Sequence, residues 1–280
     1  MTETTAEAAI AECLKICARN PKDLRLILAQ VKGISPLELL VAPEKISLTH
    51  EEMAKLSEMW GRRAVGEPLS KIINRRAFWK HDFFVNSRVL DPRPETELII
   101  RMVLAIFAPN EPLKFLDVGT GSGCILLSLL SEFKNAAGVG IDLSEAALEV
   151  ADNNRRKLAL ENATFVNTNW NDYRPREKFD VVVANPPYVK TADIEKLDVA
   201  VRNYDPWAAL DGGESGLRAY EEICALAGGW LSTGGSLFLE VGRGQSTAVV
   251  KILRSNGFTI REIANDLNNI KRTIHAAAPT

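Results

Sequence analysis

Lys114-Phe115-Leu116-Asp117-Val118-Gly119-Thr120-Gly121-Ser122-Gly123 reads as a short buried strand running into a glycine-rich turn, with a helix over 124–133 behind it. Glycines in such a turn let the chain bend tightly and let a ligand approach the backbone, and the helix start offers free N–H groups. Strand and helix keep alternating downstream. Strands are expected over 137–141, 164–166, 179–184, 236–241, 259–263 and 272–276, and helices over 144–158, 217–231 and 245–253. That alternation predicts an α/β fold, a parallel sheet with helices on both faces. Phe179-Asp180-Val181-Val182-Val183-Ala184 is β-branched and almost free of polar residues, as a strand covered on both faces should be. Two prolines then stop it. Asn185-Pro186-Pro187-Tyr188 should therefore begin at the carboxyl end of a central strand, where open α/β sheets place their ligands. His275, beside Ile274, reads as an exposed strand residue.

Spacing separates two kinds of nucleotide loop. The dinucleotide fingerprint wants Gly or Ala at the sixth position of G-x-G-x-x-G, and Cys124 stands there. The glycines fall instead at 119, 121 and 123, with Asp117 just ahead. This Asp-x-Gly-x-Gly-x-Gly loop resembles that of S-adenosylmethionine-dependent methyltransferases. In that resemblance the third glycine serves close passage of the ligand's amino-acid end. Asp142, ending the next strand, can accept both ribose hydroxyls with its two carboxylate oxygens. Asn185-Pro186-Pro187-Tyr188 resembles the substrate-amide motif of methyltransferases that act on planar NH2 groups. Trp170 follows the strand at 164–166, where adenine lies in such domains, and is either a lid on adenine or a core residue.

The first third is helical. Ile10, Cys13, Leu14 and Cys17 form one apolar stripe, and Asn20-Pro21 caps and starts a second helix that Gly33 ends. Ser35-Pro36-Leu37-Glu38 and Thr49-His50-Glu51-Glu52 are capping boxes. Short amphipathic helices must bury their stripes on each other, so a small bundle results. His50 reads as a solvated residue. Gly66-Glu67-Pro68-Leu69 breaks the pattern. Strand-like segments at 77–79 and 83–85 then flank a turn at Lys80-His81-Asp82, within the most basic stretch of the chain. A face for nucleic acid and an amphipathic hairpin both fit, and the hairpin is the simpler reading. Thr96 or Glu95 either closes a cofactor site or starts the helix after it. Residues 189–215 read as a loop over the site.

A net charge of −2 argues against a protein held mainly to a nucleic-acid backbone. Cys13, Cys17, Cys124 and Cys224 lack metal-ligand spacing and read as reduced, buried thiols; no metal is expected. No signal peptide and no apolar run able to span a bilayer is evident, so a cytoplasmic setting is expected.

Taken together the chain is similar to the HemK-type release-factor glutamine N5-methyltransferases. The resemblance rests on Gly66-Glu67-Pro68, Arg75-Arg76-Ala77-Phe78-Trp79 and Pro92-Arg93-Pro94-Glu95-Thr96-Glu97. It continues with Asp117 to Gly123, Asn185 to Tyr188, Ala209-Leu210-Asp211-Gly212-Gly213 with Gly216-Leu217, and Glu240-Val241-Gly242 with Gln245. It implies a Rossmann-like class I methyltransferase domain at 96–280, a helical domain at 1–74 that holds the substrate protein, and a β-hairpin linker at 75–95. The substrate implied is the glutamine of a release factor's Gly-Gly-Gln loop. The donor implied is S-adenosylmethionine, leaving S-adenosylhomocysteine, held by Gly119, Thr120, Gly121, Ser122, Gly123, Asp142, Trp170 and Asn185. The acceptor glutamine falls to Asn185, Pro186, Pro187 and Tyr188, with catalysis assigned to Asn185, Pro186 and Tyr188. A monomer without stable nucleic-acid or membrane binding is expected. A ribosomal-protein glutamine or a nucleic-acid adenine N6 would suit the same motif. Two departures from the family pattern stand out: Asp91 where an apolar residue is usual, and Asn169 where an aspartate is common.

Overall fold

The computed structural model describes residues 4–16 and 21–278. They fall into two compact units, Met1–Arg75 with Asp198–Tyr204, and Arg76–Leu197 with Asp205–Thr280.

In the first unit, β1 (Thr4–Thr5) and α1 (Ala6–Ile16) lead to α2 (Pro21–Lys32), α3 (Pro36–Val41), β2 (Ser47–Leu48), α4 (His50–Ala64) and α5 (Leu69–Ile72). Both capping boxes form. Glu38 N–H donates to Ser35 Oγ at 3.2 Å and Ser35 N–H to Glu38 Oε2 at 2.8 Å, and Thr49 and Glu52 repeat the exchange ahead of α4. Each box satisfies N–H groups that a helix start leaves open. Gly33 ends α2 at φ 67°, a left-handed turn that suits glycine. Leu24, Ile27, Leu28, Leu56 and Trp60 are fully buried among the helices, and the Trp60 ring N–H donates to the Cys13 carbonyl at 2.9 Å. Cys17 and Asn20 lie outside the described residues. The β1–β2 pair and α5 are too short to show a period in the sequence.

The second unit opens with a hairpin, β3 (Arg76–Phe78) and β4 (His81–Phe83). Its turn is at Trp79-Lys80, not at residues 80–82, and its second strand lies two residues earlier than the aromatic run suggested. The cause lies at Phe84. Its N–H donates to Asn154 Oδ1 (2.7 Å) and its carbonyl accepts from Asn154 Nδ2 (3.0 Å), so its backbone leaves the ladder. Trp79, at φ 55°, is tied from the turn to Glu97 through its backbone N–H (2.9 Å) and to Glu132 through its ring N–H (2.6 Å).

After α6 (Glu97–Ile106) come β5 (Lys114–Val118), α7 (Cys124–Glu132), β6 (Ala137–Asp142), α8 (Glu145–Lys157), β7 (Ala163–Asn167) and β8 (Phe179–Ala184). Residues 189–215 carry short helical turns, including α9 (Val199–Arg202), and Asp198–Tyr204 groups with the first unit. The chain ends with α10 (Arg218–Trp230), β9 (Leu231–Glu240), α11 (Ser246–Ser255), β10 (Thr259–Asn265) and β11 (Lys271–Ala277). The seven strands from β5 onward form one sheet, ordered β10-β11-β9-β8-β5-β6-β7. The sheet is not wholly parallel: β11 runs antiparallel to both β9 and β10. Residues 266–270 are too few for the crossover that a parallel pair needs, so β10 and β11 must form a hairpin.

Alternate residues of the central strands feed opposite cores. Phe115, Val181, Val183 and Phe238 face α6, α7 and α8, whereas Leu116, Val182, Ala184 and Leu237 face α10 and α11. Register aligns the strand ends. Val118 pairs with Ile141 and with Ala184, Ala184 with Leu239, and Asp142 with Asn167. Gly119, Asp142, Asn185 and Glu240 thus stand along one carboxyl edge, on strands about 4.8 Å apart. His275 is a correction: it is only 7% exposed, stacked on Phe238 at 4.4 Å, with its Nε2 3.1 Å from Ser236 Oγ. It sits on β11, an inner strand between β10 and β9, a placement that local alternation cannot reveal. Among the described residues no helix is long and apolar enough to cross a membrane.

Candidate active site

The glycine loop is held from below and tied from the side. Gly119 and Thr120 give their N–H groups to the Ile141 carbonyl (2.9 and 3.0 Å), and Gly121 N–H donates to Asp142 Oδ2 at 2.9 Å. Asp142 Oδ1 accepts from Ser144 N–H at 2.9 Å, which leaves each oxygen a further lone pair for a hydroxyl. Burial pushes the Asp142 carboxyl up while its backbone hydrogen bonds oppose this. All three glycines have positive φ. A Cβ at Gly123 would press on Leu127 and Ala151, so that glycine lets α7 and α8 pack closely; a Cβ at Gly119 or Gly121 would meet open space. Thr120 and Ser122 are both buried. The Thr120 hydroxyl donates to Asp117 Oδ2 (2.7 Å) and the Ser122 carbonyl accepts from Asn154 (2.9 Å), so their side chain and backbone brace the loop. Asp117 is fully buried, burial pushes its pKa up to about 7, and its Oδ1 has no hydrogen-bond partner.

Asn185 directly succeeds β8, and its Nδ2 donates to the Thr96 hydroxyl at 3.2 Å. That hydroxyl donates in turn to Glu240 Oε2 at 2.6 Å. Thr96 therefore does not cap α6 with its side chain, although it stands at the cap position. Pro186 is buried, and Pro187 and Tyr188 are half-buried. Around them lies a frame of small residues. Cβ atoms at Gly212 and Gly216 would come within 2.9 Å of Pro187 O and 2.7 Å of Tyr188 O. Gln245 completes the frame, donating from Nε2 to the carbonyls of Tyr188 and Gly216, both at 3.0 Å, and accepting from Gly242 N–H at 3.1 Å. Burial and the neighbouring Glu240 push the Tyr188 phenol up to about 12, so it keeps its proton at neutral pH and is no base.

Trp170 and Pro187 line one cleft of about 420 Å³ together with Leu143, Trp207 and Arg218. The Trp170 ring N–H donates to Glu222 at 2.7 Å, which fixes the indole as a wall of the cleft; its body also packs on the sheet's core. Among the described residues no group of three or more His, Cys, Asp or Glu is placed to hold a metal, and Cys13, Cys124 and Cys224 are free thiols.

Residues 6–73 match the family described as PrmC N-terminal domain and residues 109–224 the one described as Methyltransferase domain. A release factor glutamine methyltransferase of Rhodospirillum rubrum is 39% identical over 91% of this chain and 78% of its own length. One from Caulobacter vibrioides is 40% identical over 90% of this chain and 87% of its own. This chain belongs to the release factor glutamine methyltransferase family. A solved methyltransferase from Pyrococcus furiosus, 16% identical, matches the fold over 80% of this chain and 100% of its own, with a TM-score of 0.54.

The two departures from the family pattern have local accounts. Asp91 is buried and lies 3.7 Å from Arg76, while its backbone N–H donates to Asp205 Oδ1 at 3.1 Å. Asp205 also pairs with Arg93 at 2.8 Å, so this stretch is held through charge rather than apolar contact. Asn169 Oδ1 accepts from Asn171 N–H at 2.9 Å, the turn-stabilising bond that an aspartate would also make. Three framing residues escaped sequence reasoning in the family's site: Asn154, which joins the hairpin to the glycine loop, Gln245 as the clamp on Tyr188, and Glu240 as the partner of Thr96. The last two stand in the motifs that carry the resemblance, where the sequence alone gives them no physical role.

Proposed function

We propose that this protein transfers the methyl group of S-adenosylmethionine to the side-chain amide nitrogen of the glutamine in a release factor's Gly-Gly-Gln loop. The observation that carries the reading is Asn185, held at the carboxyl end of β8 beside the glycine loop, in a chain of this family. The residues suit the donor. Gly119 and Gly121 leave room along the backbone, Asp142 retains acceptor capacity for ribose hydroxyls, and Asp117 Oδ1 is a buried acceptor that a cationic amino group would satisfy. Gly119 to Gly123, Asp142 and Trp170 would hold the donor. When bound, S-adenosylmethionine supplies an electrophilic sulfonium methyl.

A glutamine amide nitrogen is a poor nucleophile because its lone pair is delocalised into the carbonyl. Asn185 Oδ1 and the Pro186 backbone carbonyl accept its two N–H groups and aim the nitrogen, and the prolines fix φ so that these acceptors need no reorganisation. Tyr188 packs against the amide plane and excludes water. Placement of this kind is worth about 7–11 kcal/mol in the best intramolecular cases. A release factor as substrate sets the reaction in the cytoplasm. Replacing Asn185 tests the reading: Asn185→Ala should lower kcat for release-factor methylation by about 100-fold or more. Donor affinity, read by calorimetry, reports separately on the donor contact that the family resemblance also gives Asn185. Full methyl transfer by the variant would sink the acceptor assignment.

A further inference from the structure

We propose that Glu240 and Thr96 are positioning residues that hold the Asn185 amide in one of its two flip states, with Oδ1 turned toward the acceptor. The inference deepens the proposed function and rests on that reading of Asn185. A threonine hydroxyl has one proton to give, and Glu240, whose carboxyl burial pushes up to about 7, can only accept in its ionised form. Thr96 spends that proton on Glu240 at 2.6 Å, so toward Asn185 it presents only a lone pair. The group that meets it at 3.2 Å must then be the NH2 side of the amide. Oδ1, on the opposite branch of the planar amide, is left for the acceptor. Without the carboxylate the hydroxyl is free to turn and donate to Oδ1. The amide would then offer its own NH2 to the acceptor, and donor would face donor.

Two further observations support this. The register of β8 with β9 sets Glu240 one strand from Asn185, so the chain of bonds spans neighbouring strand ends and needs no flexible loop. Glu240 and Thr96 are each 2% exposed, and among the described residues Glu240 has no ion-pair partner within contact distance. Burial makes ionising this carboxyl costly and pushes it up to about 7, with the Thr96 hydrogen bond opposing that rise. The charged and titratable groups that act on it from its surroundings are Arg272 on β11, Arg93 and Glu95 ahead of α6, Cys124 on α7, Tyr188, and Tyr220 on α10.

The test compares wild type with Thr96→Val, Thr96→Ser, Glu240→Gln and Glu240→Ala. Kinetics on a purified release factor are combined with calorimetric binding of S-adenosylhomocysteine and hydrogen exchange of the Asn185 side-chain NH2 by NMR in the free protein. Thr96→Val should lower kcat about 10- to 100-fold, as expected for a misaimed acceptor, and Thr96→Ser should restore most of it. S-adenosylhomocysteine affinity should hold within about twofold in both. Glu240→Gln keeps an acceptor oxygen for Thr96 and should retain more activity than Glu240→Ala. The NH2 should exchange slowly in wild type and Thr96→Ser and faster in Thr96→Val. Wild-type kcat in Thr96→Val, no rescue by serine, or identical NH2 exchange in wild type and Thr96→Val overturns the proposal. If wild type leaves the release factor unmethylated, the function reading fails, while the NMR comparison still tests the positioning because it needs no acceptor.

Discussion

At the residue scale, buried polar groups decide the site and set its sensitivity. Gln245 serves two backbone carbonyls through one amide nitrogen, those of Tyr188 and Gly216. Gln245→Ala should therefore destabilise the protein by about 1–3 kcal/mol, the usual penalty for orphaning buried acceptors, read as a lower thermal midpoint. Acceptor KM should rise with it, since Tyr188 loses its anchor. His275 makes a pH prediction. Burial and Arg261 hold its folded pKa down at about 4, below the ordinary value of 6.5. The unfolded chain therefore binds the extra proton first. Stability from this group is intact above about 6.5 and is lost as pH falls toward 4, by up to about 3 kcal/mol. Urea titrations of wild type and His275→Phe at pH 7 and pH 4.5 check it: the gap between them should shift toward the variant at low pH, and a constant gap would refute the burial account. The positions of Asp142 and Asn185 were legible in the sequence because one ends a recognisable strand and the other directly follows one. The Thr96–Glu240 bond was not, because its partners are 144 residues apart and the motif around each says nothing of the other.

Elements were legible where local chemistry decides them. Ser35 and Thr49 announce α3 and α4 because a capping box is complete within four residues. Thr49→Ala should cost about 1 kcal/mol, the ordinary worth of an N-cap, measurable by chemical denaturation. Loss of much more would mean that Thr49 does something beyond capping. The hairpin shows the opposite case. Phe83-Phe84-Val85 looks like one strand, yet Asn154, 70 residues away, takes both backbone groups of Phe84 and moves the strand end to Phe83. Asn154→Ala should free that segment and the Ser122 carbonyl together. We expect faster amide exchange at Phe84 and weaker S-adenosylhomocysteine binding, since the glycine loop loses its brace. Unchanged exchange and affinity would contradict the coupling. The strand at β11 was legible, but its antiparallel place was not, since insertion between β9 and β10 depends on a short turn and on which sheet edge lies open.

Across the whole molecule, the order of motifs carried the most information. A glycine loop, an acidic strand end and Asn-Pro-Pro-Tyr, met in that order, imply one sheet edge, and the register sets Gly119, Asp142, Asn185 and Glu240 along it. What the chain does with that edge depends on its acceptor, and a planar amide and an adenine amino group would both suit Asn185. The direct measurement is incubation of the protein with labelled S-adenosylmethionine and either a purified release factor or duplex DNA, with peptide mapping of the labelled product. The account predicts one methyl group on the glutamine of the release factor's Gly-Gly-Gln peptide and none on DNA. Label on DNA, or on a release-factor residue other than that glutamine, would contradict it.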